Sequence, residues 1–185
     1  MKVLLAAMII VLAGLGFWYS QSSEDTTADD VNQVLPVITR QQILQASDLV
    51  AGVKQAVKQN DKAAVKAWLV KATDLAKEAG LPEDDIHYLQ SDMAINYLEF
   101  HAKRSLFNDA VEQAYYTLYD IEPLKIQYPE AQDLFAKADQ LIAQRDEIIE
   151  QIAAELSSEQ HTKEQTLAAA RQQWKARFAA NQQSN

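Results

Sequence analysis

The chain has 185 residues, no cysteine, four glycines, four prolines and a formal net charge of −9. The lack of cysteine excludes disulfides, thiolate zinc sites and a cysteine nucleophile. So acidic a chain repels phosphate backbones, which argues against a general nucleic-acid binder. The scarcity of helix-breaking residues indicates a protein built from helices.

Residues 1–20 form an apolar segment in which Lys2 is the single charged side chain. As a helix its apolar part would be about 26 Å long, at the short limit for crossing a bilayer. It ends in three amphipathic rings of the kind that lie at the membrane–water boundary, namely Phe17, Trp18 and Tyr19. We therefore expect an uncleaved signal anchor that holds the chain in the bacterial inner membrane, with the bulk of the chain in the periplasm.

A cleaved secretory signal is the alternative interpretation of the same segment. Its peptidase would have to cut near Ser20 or Ser22, because better small-residue pairs are lacking. Either interpretation exports the remainder of the chain. Residues 21–36 are polar and acidic and are expected to form a linker between the anchor and the folded body.

Residues 37–182 are predicted to form an all-α domain of about six antiparallel helices, followed by a frayed tail at 183–185. The first helix is expected to begin at Thr39, which has capping-box spacing to Gln42, and to continue unbroken to a tight turn at Asn60 and Asp61. The second is expected to end at Gly80. The inward stripes predicted for these two helices are Ile43, Ala46, Val50, Val53 and Val57, then Val65, Trp68, Ala72, Leu75 and Ala79.

The middle of the body is predicted to contain a helix from Pro82 and another capped by Asn108. The third helix would turn inward Ile86, Leu89, Met93, Tyr97 and Phe100. Residues 122–129 are expected to be extended, because prolines bias the residues before them away from helix.

A fifth helix is expected from Pro129, with apolar positions at alternating steps of three and four along 135–156. This heptad seam is typical of a coiled coil and offers a route to a homo-oligomer. Ser157 and Gln160 have capping-box spacing and would open the last helix.

Residues 108–123 resemble the second helix of a tetratricopeptide repeat. Ala110, Ala114 and Pro123 stand near the positions where that family has its small residues and closing proline. The resemblance implies an array of helical hairpins that binds other proteins. Thr117 departs from the family pattern, and an irregular helical bundle with an alanine-rich face is the alternative.

The residues that could carry catalysis or hold a metal are scattered. His87 and His101 would lie about 21 Å apart on one helix, so they cannot share a metal. His161 has no histidine partner at helical spacing. No nucleophile motif, phosphate-binding loop or dinucleotide fingerprint is present in the sequence. We expect no catalytic residues, no metal and no cofactor.

Two groups of residues are predicted to contact a partner. Tyr115, Tyr116 and Tyr119 cannot all point into one narrow stripe, so some of these rings should line a groove or face water, unless another helix covers them. The second group is Arg171, Trp174 and Lys175. This last segment is basic beside an acidic fifth helix, so it could pack against that helix, dock on a partner or lie on anionic lipid.

The sequence therefore favours a membrane-anchored periplasmic interaction module or envelope assembly factor without catalytic activity. The alternative is a soluble periplasmic chaperone or small-ligand-binding protein released by cleavage of the signal. A protein partner, the membrane and a possible second copy of the chain are the expected contacts.

Overall fold

The computed structural model describes residues 38–157 and 162–182. These residues are mostly helical and contain no strand, which confirms the all-α prediction. No helix within these two ranges is long and apolar enough to cross a membrane. The predicted anchor at 1–20, the linker at 21–36 and the tail at 183–185 lie outside the described residues.

The described residues contain eight α-helices and one 3-10 helix, where about six helices were expected. The α-helices are α1 (Arg40–Leu44), α2 (Ser47–Lys58), α3 (Lys62–Glu78), α4 (Glu83–Leu89), α5 (Asp92–Thr117), α6 (Glu122–Gln127), α7 (Phe135–Glu155) and α8 (Lys163–Gln182), with the 3-10 helix at Pro129–Leu134. The expected extended segment at 122–129 is wrong. Pro123 lies in the first turn of α6, where its fixed φ suits a helix and no amide hydrogen bond is lost.

The local start and stop signals were mostly predicted correctly. Thr39 and Gln42 form the complete capping box. Asn60 takes a left-handed φ of 56°, and the Asp61 side chain caps α3 at the Ala64 amide. Gly80 has a φ of 71° after α3. The box that opens α8 is formed by Thr162 and Gln165, later than the predicted Ser157, whose partner Gln160 is not among the described residues.

Two helix breaks were not foreseen. Ala46 separates α1 from α2. Ser91 lies between α4 and α5 and caps the first turn of α5. Each break changes the helical phase, so the side chains that face inward change as well. Leu49, Ala94 and Leu98 are buried. Around these two breaks the predicted stripes are wrong at Val50, Met93 and Phe100, which stay exposed.

The predicted fourth helix does not begin at Asn108, which lies inside the 26-residue helix α5. This helix is about 39 Å long and buries different faces along its length. Its first half buries Ala94, Leu98 and Ala102, and its second half turns Phe107 and Val111 inward instead. A single periodic stripe was therefore not visible in the sequence. On α3 the phase also differs, since Leu69 and Ala76 are buried. Leu75 is exposed.

In the part of the chain that the structure describes, three apolar clusters make up the core. The first joins α1–α4 to the first half of α5. The second joins the second half of α5 to α6, the 3-10 helix and the start of α7. The third lies between α7, α8 and the end of α5. Helix α5 takes part in all three and is the central element of the fold.

The seam at 135–156 faces inward over most of its length, as predicted, but toward this same chain, and its last position, Leu156, is exposed. Ala138, Ile149 and Ile152 are buried, with α8 side chains packed on the last two. A homo-oligomer through this seam stays a prediction, and it would have to compete with contacts that the chain already makes internally.

Ion pairs join α5 to the 3-10 helix. Arg104 Nη1 donates to Asp133 Oδ1 and Nη2 donates to Asp133 Oδ2. Nη1 also donates to the Glu130 carbonyl at 3.1 Å. Lys103 Nζ lies 2.6 Å from Glu130 Oε1. The hydrogen bonding of Asp133 to Arg104 holds the pKa of the Asp133 carboxyl below its usual value.

Candidate interaction site

The structure brings residues from both predicted contact groups into one internal cluster. The Trp174 indole N–H donates to the Tyr115 carbonyl at 3.1 Å, and the two rings meet edge to face at 5.2 Å. Tyr116 stacks on Phe178 with ring centroids 4.0 Å apart. Helix α8 therefore packs against α5 and α7, the arrangement in which the basic segment contacts its acidic neighbour.

Burial changes the chemistry of the two tyrosines in this cluster. Tyr115 is only 8% exposed, and this burial raises the pKa of its hydroxyl. The nearby Tyr116 raises the same pKa to a smaller extent. Burial and the carboxylate of Glu112 raise the pKa of Tyr116. Both rings stay neutral over the physiological pH range and act as packing surface for α8.

The carboxyl end of α5 is held by donors from α7 and from the turn that follows α5. The Ala114 carbonyl accepts from Arg145 Nη1 at 3.1 Å and from the Tyr119 amide at 3.2 Å. Leu118 takes a left-handed φ of 64° to close the helix. A positive guanidinium at a helix C-terminus also interacts favourably with the helix dipole. The sequence signal for this contact was a charged residue, Arg145, within an otherwise apolar seam.

Tyr119 is the predicted tyrosine that faces solvent, with 71% of its surface exposed. It borders an open groove of about 510 Å³ between the second half of α5 and the start of α6. The residues that line this groove, called here the α5–α6 groove, are Ala110, Gln113, Ala114, Tyr119, Asp120, Pro123 and Leu124. Most of the lining is apolar, and Ala110 and Ala114 contribute only methyl groups to it.

The charges beside the α5–α6 groove are mostly negative. The Asp120 carboxylate accepts from the Glu122 amide at 3.1 Å and forms no ion pair with another described residue. Lys125 Nζ lies 2.6 Å from both Glu122 and Asp139, so one ammonium is shared by two carboxylates. These hydrogen bonds raise the pKa of Lys125, and the bond to Asp139 has the larger effect.

Arg171 and Lys175 project from the exposed side of α8. Neither forms an ion pair with any residue that the structure describes. They lie on the same helix as Trp174, which faces the core, so the three residues of this predicted group do not form one surface.

A second depression of about 330 Å³ lies beside α3, where α4 ends and α5 begins. Leu69, Leu89 and the buried Thr73 line it, and the Thr73 hydroxyl donates to the Leu69 carbonyl at 2.8 Å. Lys66 and Lys77 lie at its rim with Asp74 and Asp92. Its polar groups are therefore balanced in charge.

The described histidines and carboxylates form no group of three or more placed to hold a metal ion. His101 packs on Tyr97 with ring centroids 4.3 Å apart. Burial, together with the nearby Arg104, lowers the pKa of His101. This contact gives His101 a packing role on α5.

No protein-family model, curated protein or solved structure matches this chain. The resemblance of residues 108–123 to a tetratricopeptide helix stays a prediction.

Proposed function

We propose that this chain is a non-catalytic interaction module whose α5–α6 groove binds another protein. In this proposal residues 1–20 hold it in the bacterial inner membrane, residues 21–36 act as a spacer, and the helical body lies in the periplasm. The observation that supports binding most is the exposed Tyr119 beside an open apolar groove.

An exposed tyrosine beside a concave apolar surface is suited to protein recognition. Its ring gives a large contact area with few rotatable bonds, and its hydroxyl can hydrogen-bond to water when no partner is bound. Central tyrosines in interfaces commonly contribute about 2 kcal/mol or more when truncated to alanine. The Tyr119 backbone is already held by the hydrogen bond that its amide donates to the Ala114 carbonyl, so little backbone ordering is needed on binding.

The buried aromatic residues support the groove indirectly. Trp174 and Arg145 bind the last carbonyls of α5, and the turn that follows those carbonyls carries Tyr119. Tyr115, Tyr116 and Trp174 would thus position the site, although the sequence suggested direct contact. Arg171 and Lys175, exposed on α8, remain candidates for a second contact with a partner.

A soluble periplasmic chaperone or small-ligand-binding protein is the second candidate function. The 330 Å³ depression beside α3 favours it, because its volume is at the lower end of about 300–1,000 Å³ for ligand sites. The α5–α6 groove is larger and more apolar, and it borders the more exposed aromatic side chain. We therefore place the main function at the α5–α6 groove.

A photo-crosslinking residue at position 119 in living cells tests the proposal. We expect a covalent adduct with a protein of the envelope, and no adduct from a control at Gln59, which is exposed at the end of α2. Carbonate extraction of the same cells tests the anchor, since an anchored chain stays with the membranes. Absence of any adduct from position 119 contradicts the interaction site, and release by carbonate contradicts the anchor.

A further inference from the structure

We propose that the occupant of the α5–α6 groove is a helical segment of another protein that places lysine or arginine beside Asp120 and Glu122. This inference rests on the proposed function and specifies the chemistry of the partner. It follows from the shape of the groove and from the charges at its rim.

The shape favours a helix. Ala110 and Ala114 are one turn apart on α5; Ala114 is buried, and the small side chain of Ala110 lets another backbone approach closely. Pro123 and Leu124 form the facing side, so an apolar ridge from a partner helix can enter between α5 and α6. The described residues offer no strand edge to which an extended peptide could add, which leaves helix-in-groove binding as the fitting mode.

The charges favour a basic partner. Asp120 lines the groove, and beside it Glu122 and Asp139 share the Lys125 ammonium, so these four groups carry a net charge of −2. The guanidinium of Arg145 at the Ala114 carbonyl is balanced by its ion pair with Asp146. The whole chain carries −9, so its long-range field adds to this local excess. A cationic segment is attracted during encounter and an acidic one is repelled, and salt weakens both effects.

Peptide display on the purified full chain in a mild detergent tests this inference. The probe is a random library of linear peptides, and binders that are also retained by the Tyr119→Ala chain are removed. We expect the remaining peptides to combine apolar residues at helical spacing with an excess of lysine and arginine. Enrichment of acidic peptides, or no enrichment over the Tyr119→Ala chain, would overturn the proposal.

Charge-neutralising variants measure the contribution of the rim. Asp120→Asn keeps an acceptor for the Glu122 amide, and combined with Glu122→Gln it removes two negative charges. We expect binding of a selected peptide to weaken about 2- to 30-fold at low salt, because each of the two exposed ion pairs contributes about 0.2–1 kcal/mol. The control Glu147→Gln with Glu150→Gln removes the same charge from exposed positions on α7 and should change affinity less than twofold.

A second control separates the groove from general surface hydrophobicity. Ile126 is 84% exposed on α6 but does not line the groove. Ile126→Ala should leave peptide affinity within twofold, whereas Tyr119→Ala should lower it at least tenfold. Equal losses in these two variants would overturn the assignment of the groove.

The two proposals fail in different ways. If position 119 crosslinks to a protein in cells but the selected peptides show no excess of basic residues, the interaction module stands and the partner chemistry is wrong. If position 119 gives no adduct in cells, the proposed function itself is wrong.

Discussion

Replacing Gly52 by alanine should destabilise the protein, although this glycine lies inside helix α2. At an exposed position in a helix, glycine to alanine stabilises by about 1 kcal/mol. Here a Cβ on Gly52 would lie 2.0 Å from Cε2 of the Trp68 indole, far inside van der Waals contact. The ring must move, and overpacking of this kind costs about 1–3 kcal/mol. We expect a net loss of about 1 kcal/mol in the free energy of unfolding.

The Trp68→Ala background reverses the expected sign. With the indole removed, Gly52→Ala should stabilise the protein by about 1 kcal/mol through helix propensity alone. The four proteins of this double-mutant cycle are compared by urea denaturation followed by circular dichroism. The coupling energy between the two positions should be about 2 kcal/mol. An equal increase in stability in both backgrounds would refute the close approach of Trp68 to Gly52.

Three further predictions concern local structure and pH. Asn60→Gly should keep or slightly raise the thermal midpoint, whereas Asn60→Ala should cost about 1 kcal/mol because of the left-handed backbone, and equal midpoints would contradict this. The hydrogen bond from Arg104 lowers the pKa of Asp133, so this carboxylate stabilises the fold above its unfolded pKa of about 3.9 and loses that effect as pH falls through its lower folded value. Asp133→Asn should therefore lower stability at neutral pH but not at about pH 2, and a difference that persists unchanged in acid would contradict this sign. Trp174→Phe keeps an aromatic ring but removes the N–H donor to the Tyr115 carbonyl, and we expect urea denaturation to show a loss of about 1 kcal/mol, while unchanged stability would count against that bond.

The parts of the fold that depend on neighbouring residues could be predicted from the sequence. The capping box at Thr39, the cap at Asp61 and the stop at Gly80 are satisfied by side chains or backbone within a few residues. The inward seam of α7 was also visible, because α7 buries one face over most of its length.

The breaks at Ala46 and Ser91 could not be predicted in the same way. Each lies within a run that is periodic enough to continue as one helix, and packing against α3 or the start of α5 decides the new phase. The continuity of α5 through Asn108 has a similar cause, since Phe107 and Val111 are buried by elements that follow much later in the chain.

The candidate site was predicted in part. The sequence indicated that Tyr115, Tyr116 and Tyr119 could not share one environment. In the structure Tyr119 is exposed to solvent, whereas Tyr115 is buried and Tyr116 is partly buried. That Trp174 would cover Tyr115 depends on the return of α8 to the end of α5. The groove itself depends on the turn into α6, which the proline spacing had suggested to be extended.

The yield of the in-cell crosslink from position 119 tests the central claim most directly. It should be measured in the otherwise unchanged chain and in the Ala110→Leu variant, whose larger side chain would occupy the base of the α5–α6 groove. We expect a protein adduct in the first and a strong decrease in the second, with both chains present at equal level. No adduct, or an adduct of equal yield in the two chains, would contradict binding at the α5–α6 groove.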